Sequence, residues 1–287
     1  MIAILFAFIT FIVWGTGDIF TTTAVRKIGS YNASFYGYFF GLLAATFFIP
    51  FANSIQNFSL PMILLTIFLA IIELLAFYAY NESLKTANSS LVGTISGSFT
   101  SLVVIFSVIF LGERLTSFEV ISVIVIFIGL FLSSIHFSDL KAKKSVMNRG
   151  IVLALLAMVG WGIYFTFIKI SVKQAGFFWP TYVSSIVGSA FFLLFGFRKI
   201  KIPKVENKSG FPAIFIAGIL LEAGSFCFNF AIGKGYSSIV ASIAGAYPAL
   251  FALLAYFIFK DPIRKQQKVG MITTLVGILL LSYFSNQ

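Results

Sequence analysis

Charge is what this sequence has least of. Only 10% of its residues are Asp, Glu, Lys or Arg, whereas 59% are hydrophobic and the mean hydropathy is +1.02. Soluble domains carry roughly a quarter charged residues. No soluble core could hide this much apolar surface, so the chain belongs in a bilayer. Cysteine occurs once, at Cys227, which excludes an internal disulfide and a cysteine metal cluster. Histidine occurs once, at His136, near the end of an apolar run. The sequence has no glycine-rich phosphate loop, no metal-ligand cluster and no nucleophile–base pair. We therefore expect no enzyme, no cofactor and no metal. The net charge of +11 would suit a nucleic-acid binder, but nearly all the cations sit in short turns between apolar runs. There they orient membrane helices, so the expected partner is the lipid bilayer and not nucleic acid.

What is present is a series of spans. A membrane helix needs about 20 apolar residues. Ten runs meet that need, at roughly 2–25, 33–51, 60–82, 88–111, 117–137, 149–170, 178–198, 211–233, 237–259 and 266–284. The first has no basic residue before it and Arg26 and Lys27 after it. That is the wrong order for a cleaved signal, so we read it as helix 1.

The runs repeat. Ser237–Ser282 and Ser89–Ser134 share a design of two apolar segments around a short turn, 148 residues apart. Gly97 maps to Gly245, Glu113 to Asp261, Gly129 to Gly277 and Asn81 to Asn229 at that offset. Trp14-Gly15 maps to Trp161-Gly162, and Gly29 to Gly176, at 147. The expected architecture is an all-α polytopic membrane protein of two five-helix repeats, residues 1–140 and 141–287. Five is odd, so the second repeat lies inverted relative to the first. Inverted repeats build a midplane substrate site and permit alternating access. The cations agree: the loops after odd-numbered helices hold 16 of the 20 Lys and Arg. By the positive-inside rule those loops are cytoplasmic and both termini lie outside the cell membrane.

The ordered set of Gly112-Glu113-Arg114-Leu115-Thr116 before a helix with Gly129, then Tyr247-Pro248, Lys260-Asp261-Pro262 and Gly277, resembles the EamA-type members of the drug/metabolite transporter superfamily. The resemblance spans the whole chain. It implies a five-plus-five inverted repeat and transport of small metabolites, amino acids or amphipathic compounds, often by export. Two positions depart from symmetry. Helix 4 carries Thr100 where helix 9 carries Pro248, which should bend helix 9, so the two central helices are not expected to bend alike, and the second turn carries Asp261 in place of Glu.

Three of the nine acids lie deep in spans: Asp18, Glu73 and Glu222. An ionised acid at a helix centre costs on the order of 2.5–3.5 kcal/mol, so such residues usually face a cavity and serve transport. Glu73 and Glu222 sit at the middles of helices 3 and 8, one residue out of repeat register. They are read as proton-coupling and substrate-binding groups facing one another; the alternative is a pair of protonated acids bonded to neighbouring Ser or Asn. Asp18 is read as a ligand for a substrate amine or cation, or else as a partner of Lys85 or Arg26. Trp14 and Trp161 lie too deep for an interfacial belt and could stack on substrate. Ser96, among the small residues that open helix 4, and Tyr247 before Pro248 complete the candidate site. Asn81 and Asn229 read as caps. Helices 1, 3, 4, 6, 8 and 9 should line the cavity, leaving 5 and 10 peripheral, where a second copy could pack as a homodimer. The other functions left open are an uptake facilitator for sugar or another solute without ion coupling, and a non-transporting membrane scaffold.

Overall fold

The computed structural model describes residues 1–52, 58–86, 89–134, 149–198, 208–259 and 265–285. These residues are helical almost throughout. Helix α1 covers Ile2–Ile28, α2 Ser30–Phe47 and α3 Leu60–Thr86. The fourth span is broken into α4a (Ser89–Gly97) and α4b (Phe99–Leu111), and α5 covers Ser117–Ser134. The second set runs α6 (Arg149–Ala175), α7 (Phe178–Arg198), α8 (Phe211–Lys234), α9a (Ser237–Ala244), α9b (Tyr247–Phe259) and α10 (Lys265–Phe284). Among the described residues, α1, α3, α6, α8 and the joined α9 are each long and apolar enough to cross a bilayer. The repeat boundary at 140/141, the basic cluster Lys141–Lys144, His136 and Asp261 lie outside the described residues.

Packing follows the repeat, and it follows it between halves. α1 lies on α8, and its equivalent α6 lies on α3. α2 packs on α8 and α7, while α7 packs on α3 and α2. α5 and α10 pair with each other at the periphery. The glycines explain how closely. A methyl added to Gly129 would meet Thr274 and come within 2.8 Å of the Gly270 carbonyl, and one on Gly277 would lie 2.8 Å from the Ile126 amide. Gly129 and Gly277 are equivalent positions, as are Ile126 and Thr274, so one contact is made twice. Likewise Gly15 takes Leu250 (2.9 Å to an added methyl) and Gly162 takes its equivalent Leu102 (2.7 Å). Small residues let backbones approach where lipid supplies no hydrophobic drive for association. On the outer faces of α5 and α10, Phe118, Ile121, Ile124, Ile272 and Leu279 are exposed, as lipid contact requires.

The expectation that the two central helices bend differently is corrected. Both central spans break at equivalent points. In α9 the Pro248 ring cannot follow the preceding turn, and Ala246 and Ala249 bond three residues back, to Ile243 (3.3 Å) and Ala246 (3.0 Å). In α4, without proline, Ser98 and Ser101 make the same bonds, to Ile95 (3.2 Å) and Ser98 (3.0 Å). Hydroxyls support the break here: Thr100 donates to the Gly97 carbonyl (3.3 Å), which the Ser101 amide has left, and Ser101 adds a second donor to the Ser98 carbonyl (2.6 Å). The two breaks touch. Gly97 lies under the Pro248 ring, where an added methyl would be 2.9 Å away, and Gly245 lies under Thr100.

Candidate functional site

Where the two broken spans cross, a cavity of about 80 Å³ opens among α1, α3, α4b, α6, α8 and α9b. Its walls are Trp14, Asp18, Glu73, Phe77, Phe99, Trp161, Phe165, Leu221, Ser225 and Tyr247. At the offsets of 147 and 148 these ten residues form five equivalent pairs. Trp14 answers Trp161. Asp18 answers Phe165, Glu73 answers Leu221, Phe77 answers Ser225 and Phe99 answers Tyr247. The cavity therefore sits on the pseudo-twofold axis relating the repeats. Its scaffold is symmetric and its chemistry is not: both acids come from the first repeat, and both hydroxyls, Ser225 and Tyr247, from the second.

The aromatic walls repeat as well. Trp14 stacks on Phe228 with ring centres 5.4 Å apart and meets Tyr247 edge-on at 5.9 Å. Trp161 meets the equivalents, Tyr80 at 5.2 Å and Phe99 at 5.8 Å. Trp14 covers Gly224 and donates to the Leu221 carbonyl at 3.4 Å, which fixes its plane. Both indoles are buried in mid-span, away from the interfacial belts where tryptophan usually collects.

The acids have hydroxyl partners on other helices. Asp18, 6% exposed, accepts a hydrogen bond on Oδ2 from Tyr80 (3.1 Å). The alternative pairing with Lys85 or Arg26 is not made. Lys85 lies further along α3 and pairs with Glu82 (3.1 Å) one turn away, while Arg26 lies two turns beyond Asp18 at the end of α1. Glu73 accepts on Oε2 from Tyr38 of α2. Glu222 accepts from Ser185 of α7 on both oxygens, at 2.9 and 2.8 Å. Tyr38 and Ser185 are themselves equivalent, 147 residues apart. Glu222 nonetheless lies outside the cavity wall. The residue equivalent to Glu73 is Leu221, and one further residue turns a side chain by about 100° around the helix. Glu222 thus faces α7 and packs over Gly41 of α2, its carboxylate 3.2 Å from where a methyl there would stand. Ser96 is buried and bonds the Val92 carbonyl within its own helix, also outside the wall.

Asn81 and Asn229 are not caps. Their helices run on past them, and each reaches across to the neighbouring span. Asn81 donates to Ser34 (2.8 Å) and Asn229 to Thr181 (2.7 Å), again equivalent partners.

One cluster went unread in the sequence. Glu113, in the turn after α4b, accepts from Lys169 of α6 (2.8 Å), from the Ser237 and Ser238 amides (2.7 and 2.9 Å) and from the Ser238 hydroxyl (2.6 Å). Lys169 also donates to the Gly235 carbonyl at the end of α8 (2.8 Å). The carboxylate thus closes the positive end of α9a and joins the two repeats. Burial alone would push its carboxyl up, but the hydrogen bonds from Lys169 and Ser238 outweigh that and hold it below the ordinary carboxylate value. The sequence signal is the acid in the Gly-Glu-Arg turn; nothing in the sequence pairs it with Lys169, which lies inside the sixth apolar run. Among the described residues, no three His, Cys, Asp or Glu converge as metal ligands.

Two related sets of five helices thus close around an axial cavity. The chain matches the EamA-like transporter family over residues 1–135 and 148–283, and it belongs to that family. An uncharacterized transporter of Archaeoglobus fulgidus is 26% identical over 290 residues, covering 98% of each chain. An uncharacterized protein of Methanocaldococcus jannaschii is 31% identical over 136 residues, which is 98% of that protein and 47% of this chain. A solved crystal structure superposes with a TM-score of 0.77 over 99% of this chain and 97% of that one; at 17% identity the likeness is one of fold.

Proposed function

We propose that this membrane protein is a secondary transporter that moves a small amphipathic metabolite by alternating access through the axial cavity. The observation that supports this most is the placement of that cavity. It lies on the axis between inverted repeats, deep in the spans, and every wall residue has its equivalent across the axis. Rocking one repeat against the other would expose such a site to each side in turn. Trp14, Asp18, Glu73, Trp161 and Tyr247 would hold the substrate. Glu73 and Glu222, each held by a hydroxyl on a neighbouring span, would carry the coupling proton, Glu73 at the wall and Glu222 behind it. The protein would sit in the cell membrane with both termini outside.

The test is uptake into proteoliposomes under an imposed pH gradient, with Glu73→Gln and Glu222→Gln beside the parent. Proton-coupled transport predicts gradient-driven accumulation that both variants abolish. Flux that only equilibrates, and survives both substitutions, would make the protein a facilitator with structural acids. A reporter fused at the C-terminus that works only in the cytoplasm would overturn the proposed orientation.

A further inference from the structure

None of the ten residues that wall the cavity is Lys, Arg or His. A carboxylate, phosphate or zwitterionic head bound there would lack a cationic partner and would face two acids across a poorly solvating space. A cation meets the opposite situation. Asp18 uses Oδ2 for Tyr80, and Glu73 uses Oε2 for Tyr38. Among the described residues, Oδ1 and Oε1 make no hydrogen bond. Each acid therefore keeps one oxygen for a donor. Tyr247 is 7% exposed, lines the same cavity, and makes no hydrogen bond among the described residues. Its hydroxyl is thus left for a group bound in the cavity. The remaining walls are rings: Trp14, Trp161, Phe99 and Phe165, whose faces attract cations that are stripped of water.

Size narrows the class further. The cavity of about 80 Å³ is roughly half the ~150 Å³ that accommodates benzene in an engineered apolar cavity. It suits a compact ammonium head, with any bulkier remainder of the substrate left outside it.

Resting on the transport reading above, we propose that the substrate is a small organic monocation. Its primary or methylated amine would sit between Asp18 and Glu73 against the two indoles, with the Tyr247 hydroxyl as a further ligand. The asymmetry of the five wall pairs supports this, because the first repeat supplies the charge that an inverted copy, with Phe165 and Leu221, does not.

Two of the three tryptophans of the chain stand in the wall, so binding can be read by intrinsic fluorescence. The purified protein in detergent would be titrated with methylamine, tetramethylammonium and phenethylamine. Size-matched neutral and anionic compounds, phenylethanol and phenylacetate among them, would be run alongside. Saturable quenching by the cations alone is expected. Asp18→Asn and Glu73→Gln should each weaken it by about tenfold or more, as loss of a charge-assisted hydrogen bond does. Glu82→Gln, an acid on the same helix but outside the wall, should leave it unchanged. Equal binding of the neutral or anionic compounds to the parent protein would overturn the proposal, and so would full cation affinity in both the Asn and Gln variants. Cation binding without movement into proteoliposomes would leave this site standing and remove the transport reading. Transport of a non-cation that the cations fail to block would do the reverse.

Discussion

Replacing Glu113 with Gln should cost more than any other single charge removal among the described residues, and the structure says why. The two carboxylate oxygens accept four hydrogen bonds between them, two on Oε1 and two on Oε2. The side chains of Glu113 and Lys169 are 3% and 8% exposed. A Gln amide has one oxygen. Its NH₂ must point either at Lys169 and the Ser237 amide or at the two Ser238 donors, so one pair of donors loses its acceptor. The Lys169 ammonium also loses its counter-charge in a buried setting. Breaking a buried pair from one side typically costs ~3–5 kcal/mol, and that is the loss expected here. The assay is unfolding by SDS titration in mixed micelles, read by tryptophan fluorescence. Removing the stranded cation as well, with Glu113→Gln and Lys169→Met together, should recover part of the loss. A Glu113→Gln variant within ~1 kcal/mol of the parent would refute the argument. The pH dependence has a definite sign. A carboxyl held below its unfolded value contributes stability that is complete above the ordinary carboxylate range and is lost as the pH falls through the lowered folded value. The parent should therefore lose stability on acidification in a way the Gln variant does not.

Three further outcomes are expected. Gly129→Ala and Gly277→Ala should each destabilise by ~1–3 kcal/mol in the same titration, since both added methyls meet backbone of the partner helix. Within the small-residue run of α4a, Gly97→Ala should be costly because the Pro248 ring is in the way. Gly93→Ala should be neutral or slightly stabilising, since among the described residues no atom beyond its own turn lies within 4 Å of its added methyl. Asn81→Ala and Asn229→Ala should each lose ~0.6–1.7 kcal/mol, as single interhelical hydrogen bonds in membranes do; a large difference between them would contradict the equivalence of their sites.

Much of the architecture was legible, because a membrane helix announces itself by length and apolarity and a repeat by a constant offset. The offset also led to Trp14 and Trp161, which meet equivalent rings at Phe228 and Tyr247 and at Tyr80 and Phe99. Legibility stopped where a side chain on one span meets another span. Tyr80 for Asp18, Tyr38 for Glu73 and Ser185 for Glu222 depend on how helices cross and rotate, which period and composition do not encode. Glu73 and Glu222 looked like a facing pair because they are nearly in register. A single residue of slippage put one at the cavity wall and turned the other toward α7. The α4 break was missed for a related reason. Proline is a visible breaker, whereas Thr100 and Ser101 break a helix only because a matched breakpoint presses against them.

The interleaving of the repeats also bears on how the chain is made. α1 has its main partner in α8, α3 in α6 and α5 in α10. None of the first five helices can complete its main contact until helices of the second repeat have entered the bilayer. The N-terminal half must wait there with Asp18, Glu73 and the Gly129 groove still unsealed. Final assembly is thus postponed to the last helix, α10, whose arrival closes the groove that α5 has held open.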